Sequence, residues 1–117
     1  MAGAAYDLMQ EFWRIQDGRD YRAVVALFAD DAVFEDPIYG RHEGKPAIDA
    51  LMAKMSVDMN GQGITFDLVE LSGGEVSAWA KWVAHSARGD REGVGIYKVA
   101  NGKITYYRDY LDPRKEG

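Results

Sequence analysis

Apolar residues near the start of the chain recur at helical spacing. Ala5, Leu8, Met9, Phe12, Trp13 and Ile15 share one face, and Asp17-Gly18 ends the run. This spacing predicts an amphipathic helix with a glycine stop. Asp20 can cap a second, short helix whose inner face is Val24, Val25 and Phe28, closed by Ala29-Asp30-Asp31. Residues 32–35 read as a short strand, broken at Asp36-Pro37 because proline cannot donate to a sheet ladder. Residues 39–45 read as a polar loop. Pro46 then opens a third helix on Ile48, Leu51, Met52 and Met55, with 59–63 as the loop after it. From there the period becomes two. Ile64, Phe66 and Leu68 alternate with polar residues up to a Gly73-Gly74 turn. Strands are expected over 75–86, 92–99 and 103–111. Their connections are Arg88-Gly89-Asp90 and Asn101-Gly102, the latter a strong hairpin signal. Helices first and an antiparallel meander afterwards make an α+β pattern.

Composition narrows the picture. A chain of 117 residues suits one domain, since a second core would lack apolar area. One domain is expected over 1–117, with 113–117 as a loose tail. At 47% hydrophobic and 28% charged residues the composition is that of a globular protein. The longest apolar stretch, around 76–84, contains Lys81 and is far short of the ~20 residues of a membrane-spanning helix. The first residues lack the basic start and apolar run of a secretory signal, so a cytoplasmic location is expected. There is no cysteine, which removes thiolate chemistry. His42 and His85 lie too far apart in sequence for a structural zinc motif. A net charge of -5 with scattered cations makes nucleic acid a poor partner.

Two stretches carry a family resemblance. Phe28-Ala-Asp-Asp-Ala32, Phe34-Glu-Asp-Pro37 and Gly44-Lys-Pro-Ala-Ile48 are similar to the ketosteroid isomerases, whose aspartate in this run is the general base. Gly95-Ile-Tyr97, Gly102-Lys-Ile-Thr105 and Arg108-Asp-Tyr-Leu-Asp112 resemble the closing hairpin of limonene-type epoxide hydrolases, which supplies a catalytic aspartate. Both belong to the nuclear transport factor 2-like (SnoaL-like) superfamily. The resemblance implies a cone-shaped α+β barrel: three N-terminal helices packed on a strongly curved, mainly antiparallel sheet around a pocket. It also implies a homodimer, and the outer sheet face with Ile96, Tyr106 and Tyr110 is apolar enough to want a partner. The departures matter too. Phe12 stands where the isomerases have an oxyanion-hole tyrosine, and Gly95 where they have a protonated aspartate donor. Trp79 and Lys81 stand where the hydrolases have an arginine and a second aspartate.

These matches single out Asp36, Asp109 and Lys81 as catalytic candidates. Asp36 reads as a general base at the pocket mouth, or as a turn aspartate bonding backbone amides before proline. Aspartate is depleted in strands, so Asp109 needs a reason. Alternation puts it on one face with Thr105, Tyr107 and Leu111, as a base, as an orienting group, or as the partner of Lys81 or Arg91. Lys81 and His85 share a face with Trp79 and Val83, while Ala78, Ala80, Trp82 and Ala84 form the other. The turn after this strand decides which face points inward. Lys81 acts as an acid or electrostatic stabiliser only if its face is inside. Trp13, Tyr39, Trp82, Tyr97 and Tyr107 are expected as an aromatic wall around one small apolar molecule.

The expected activity is carboxylate acid–base chemistry of the isomerase or cyclase kind. A second reading is epoxide hydrolysis with Asp109 activating water, and a third is a non-catalytic binding or dimerisation domain. Neither metal nor organic cofactor is expected, and neither is a nucleic-acid or membrane partner.

Overall fold

The structure, a computed structural model, describes residues 3–112. The loose tail expected over 113–117 lies outside the described residues. Helix α1 (Ala4–Asp17) is followed by a 3-10 helix (Tyr21–Leu27), β1 (Phe28–Asp36), β2 (Gly40–Glu43) and α2 (Lys45–Gly61). Strands β3 (Thr65–Gly73), β4 (Ser77–Ser86), β5 (Gly89–Ala100) and β6 (Lys103–Leu111) complete the chain. They form one open six-stranded sheet in the order β2-β1-β6-β5-β4-β3. All pairings are antiparallel except β1 with β6, which run parallel. The architecture is α+β, a cone whose sheet does not close into a barrel because β2 and β3 remain edges.

The elements expected from the sequence recur with four differences, each with a local cause. Strand β1 begins at Phe28 rather than at residue 32. Its pairing with β6 is irregular between Phe28 and Val33, and Asp30 and Asp31 sit exposed in that interval. The stretch 39–45 is not all loop, since Gly40–Glu43 pairs with β1 as a short edge strand. Charged, brief edge strands resist pairing with other chains, and for the same reason they carry no apolar alternation to read. Helix α2 continues through Asn60-Gly61, with Gly63 taking the left-handed conformation (φ 67°) just beyond. The β4–β5 turn is Ala87-Arg88, because Ser86 already pairs with Gly89. The last hairpin turns at Asn101 (φ 52°) and Gly102 (φ 75°), the left-handed pair that a two-residue hairpin demands.

Asp20 caps the 3-10 helix by accepting from the Ala23 amide at 3.3 Å. Helix α1 lays its buried side, Ala5, Met9, Phe12 and Trp13, against β3 to β6, while α2 covers β1 and β2. Between them lies an aromatic core. Tyr107 stacks on Phe34 at 4.4 Å between ring centroids and meets Tyr97 at 4.9 Å. Offset and tilted rings at these separations add to the burial of their area. On the outer sheet face Trp79, Ile96 and Tyr110 are exposed, while Tyr106 is half-buried with its hydroxyl on Glu35. No helix among the described residues is long and apolar enough to cross a membrane.

Candidate active site

Strand register places two carboxylates side by side. In the parallel β1–β6 pair, Phe34 lies beside Tyr107 and Glu35 beside Arg108. One step further brings Asp36 level with Asp109. Phe34 and Tyr107 are buried, so two residues on, the same inward face presents both aspartates. Neighbouring strands run about 4.8 Å apart, which fixes how closely the pair sits. Glu35, one residue out of phase, turns to the outer face, where it meets Arg41 at 3.0 Å and Arg108 at 3.4 Å.

Both aspartates open into one cavity of about 120 Å³, several times the room a water needs. Trp13, Tyr39, Trp82 and Tyr107 line it. So do Tyr21, Met55, Met59 and Phe66, which as letters look no different from core. The hollow is not filled by the protein's own side chains, and Asp36 is half-buried in its wall.

Asp36 both holds a turn and faces the cavity. Its Oδ1 accepts from the backbone amides of Ile38 (2.7 Å) and Tyr39 (3.0 Å), holding the turn around Pro37. The same side chain lines the cavity beside Asp109. Tyr39 donates its hydroxyl to Asp58 on α2 at 3.1 Å. Burial and that carboxylate push its phenol up to about 12, so it stays protonated as a wall residue.

Asp109 is 8% exposed and the one buried charged-type residue among those described. Burial, then the charge of Asp36, push its carboxyl well above the usual carboxylate range. Burial therefore favours the protonated form of Asp109, beside the Asp36 side chain. Tyr107 and Tyr97 are likewise held protonated, by burial first and then by the Asp109 charge they would face.

Two glycines make room for this arrangement. Gly95 is the cross-strand partner of Asp109, and a Cβ on it would stand 2.2 Å from the Tyr97 hydroxyl. A Cβ on Gly93 would stand 2.3 Å from the Trp82 ring. Both side chains thus fold flat over β5 at positions without a side chain of their own. Gly95, which marks a missing donor by resemblance, instead leaves room for the Tyr97 hydroxyl. Tyr97 is fully buried behind the cavity, so it is a support of the wall rather than its surface. Trp13 Nε1, Trp82 Nε1, Tyr97 Oη and Asp109 Oδ1 are buried without a hydrogen-bond partner among the described residues. Each such group costs about 1–3 kcal/mol to bury, so four of them around one hollow need an explanation.

Lys81 is a correction. The two-residue turn Ala87-Arg88 puts Ala78, Ala80 and Trp82 inside, and Lys81 on the outer face, 3.8 Å from Glu92. It cannot reach the cavity. His85 shares that outer face, with Nδ1 2.7 Å from Asp90 and Nε2 2.8 Å from Asp67. Those two carboxylates raise its pKa. The stabilisation this supplies is complete below the unfolded value near 6.5 and is lost as pH rises through the raised folded value. Chemical denaturation of His85→Gln and the parent is expected to differ at about pH 6 and to converge in alkali; parallel curves across that window would refute it. Among the described residues no cluster of acidic and histidine side chains suits a metal ion.

The same fold recurs in other proteins. A sequence model of the SnoaL-like domain matches residues 9–107. An NTF2-like protein of unknown function from Mesorhizobium loti is 26% identical over 92% of this chain and 89% of its own, with a TM-score of 0.76. A protein from Kribbella flavida DSM 17836, provisionally called a ketosteroid isomerase, is 17% identical over 97% of this chain and 82% of its own, at 0.81. The epoxide hydrolase/cyclase-like enzyme SalBIII, which acts in pyran ring formation, is 19% identical over 91% of this chain and 88% of its own, at 0.73. No functionally curated protein matches the sequence. With the match running from the middle of α1 to Tyr107 on β6, the chain belongs to the SnoaL-like domain family.

Proposed function

We propose that the protein is an enzyme that moves a proton on one small, largely apolar molecule, with Asp36 as general base and protonated Asp109 as general acid. The observation that carries this reading is the buried Asp109 carboxyl, level with Asp36 and in the lining of the same hollow. For an isomerase, the substrate carbonyl oxygen lies against Asp109 and the indole N–H of Trp82. Asp36 takes a proton from the adjacent carbon, the charge moves to the oxygen and is held there, and Asp36 returns the proton to another carbon. General acid–base catalysis of this kind contributes about 10²–10⁴-fold, and a preorganised donor at the oxygen roughly 10²–10³-fold more.

The adjacency of acid and base also suits a second reaction, ring closure or hydrolysis of an epoxide. Asp36 takes the proton of a hydroxyl or a water as its oxygen bonds to carbon. The carbon–oxygen bond of the epoxide breaks, and Asp109 gives its proton to the departing oxygen. The proton then passes from Asp36 to Asp109, and both groups are reset. Water activation thereby falls to Asp36 rather than Asp109. The SalBIII enzyme, described as epoxide hydrolase/cyclase-like, is a precedent on the same fold.

The test is proton NMR in deuterium oxide with a panel of β,γ-unsaturated ketones and epoxy alcohols. Deuterium uptake beside the carbonyl, double-bond migration, or opening of the epoxide is expected with the wild-type protein. Compounds that bind in the cavity, perturbing Trp13 and Trp82 fluorescence, yet undergo none of these would overturn the proposal.

A further inference from the structure

We propose that Arg91 anchors a carboxylate at the mouth of the cavity, so that the ligand is a small monoanion with an apolar body. The inference rests on this cavity being the ligand site, as above, but not on the proton chemistry at its inner end. Along β5, Gly93, Gly95 and Tyr97 are buried at alternate positions, and Arg91 continues that inward row to the rim. There it lines the cavity together with Gln16 and Gly89, and it is the one cation among the described lining residues. Its Nε donates to the carbonyl of Asp112 at 3.1 Å, which orients the guanidinium.

Arg14, Arg22, Arg41 and Arg108 each face a carboxylate within salt-bridge distance. Among the described residues no carboxylate stands so close to Arg91. In a chain of net charge -5, a guanidinium without a carboxylate among the described residues, at the lip of an apolar hollow, is shaped for an outside anion. The planar fork of arginine matches a carboxylate in two parallel hydrogen bonds.

Distance decides the ligand's orientation. Asp109 lies opposite Gly95, four residues along β5 from Arg91, roughly 13 Å at the rise of an extended strand. An anion at Arg91 is thus kept well away from the negative charge of Asp36. Trp13, Tyr21, Phe66 and Met55 line the same cavity. The apolar body goes in first, its reacting oxygen reaches Asp109, and the carboxylate stays at the half-solvated rim. A diacid or a phosphate-rich molecule has no second cation to meet among the described lining residues.

The experiment compares 3-phenylpropanoate with its methyl ester, titrated into wild type, Arg91→Met and Arg91→Lys and followed by indole fluorescence and amide NMR shifts. The wild type is expected to prefer the acid by about tenfold. Arg91→Met keeps the packing of the stem and should erase that preference without changing the ester's affinity. Arg91→Lys should retain part of it. The proposal is overturned if Arg91→Met binds the acid as well as wild type does, if the wild type prefers the ester, or if it binds neither. An intact preference for the acid in a protein that fails the deuterium test would end the proton-transfer reading and leave this one standing.

Discussion

Asp36→Asn is expected to lower turnover by roughly 10²–10⁴-fold while leaving the fold and ligand affinity in place. The reason lies in how the two oxygens of this side chain are used. Oδ1 already accepts from the amides of Ile38 and Tyr39, and an asparagine oxygen accepts the same two bonds. The turn around Pro37 therefore survives. What is lost is the carboxylate charge beside Asp109 and the capacity to take a proton from carbon or hydroxyl. The measurement is the rate of deuterium uptake or epoxide opening in the panel above, set against binding of the same compounds. An undiminished rate would remove Asp36 as the base. Binding lost together with the rate would show that the residue only shapes the pocket.

That the variant can be designed at all follows from residues that a sequence reader could already place. Alternation along β6 put Asp109 and Tyr107 on one face without ambiguity, and both face the cavity. The strand containing Lys81 was harder, since its inner face depended on whether the following turn held two residues or three. The turn is Ala87-Arg88, and every side chain from Ser77 to Ser86 follows from it. Strand β2 was invisible for a different reason: Gly40–Glu43 is polar throughout and is a strand only because β1 offers it an edge.

The two inward glycines of β5 were legible as letters but not as meaning. A missing side chain leaves no mark in a hydrophobic pattern, yet Gly93 and Gly95 are where Trp82 and the Tyr97 hydroxyl lie. Inward glycines alternating with a tyrosine on a central strand were the signal available for the buried donors. The side-by-side aspartates needed the parallel β1–β6 pairing, which joins strands far apart in a chain otherwise read as an antiparallel meander.

The second large effect concerns stability and comes from Asp109. A carboxyl whose folded pKa is raised binds a proton on folding. The stability it permits is present in full below the unfolded value near 3.9 and is lost as pH rises through the folded value. Over that interval the unfolded chain has released the proton and the folded one has not. Stability attributable to this group falls by about 1.4 kcal/mol for each unit of pH. An asparagine at this position has no proton to release, so Asp109→Asn should gain on wild type steadily from about pH 4 upward and level off once wild-type Asp109 ionises. Urea denaturation of both proteins across that range gives the difference curve directly, free of the other carboxylates they share. In an Asp36→Asn background the curve should level off at lower pH. The neighbouring charge that helps to hold the proton on Asp109 is then gone, while burial, the larger cause, is left. A flat difference curve would mean that Asp109 ionises like an exposed carboxyl. The acid of the proposed pair would then be missing, whatever the cavity binds.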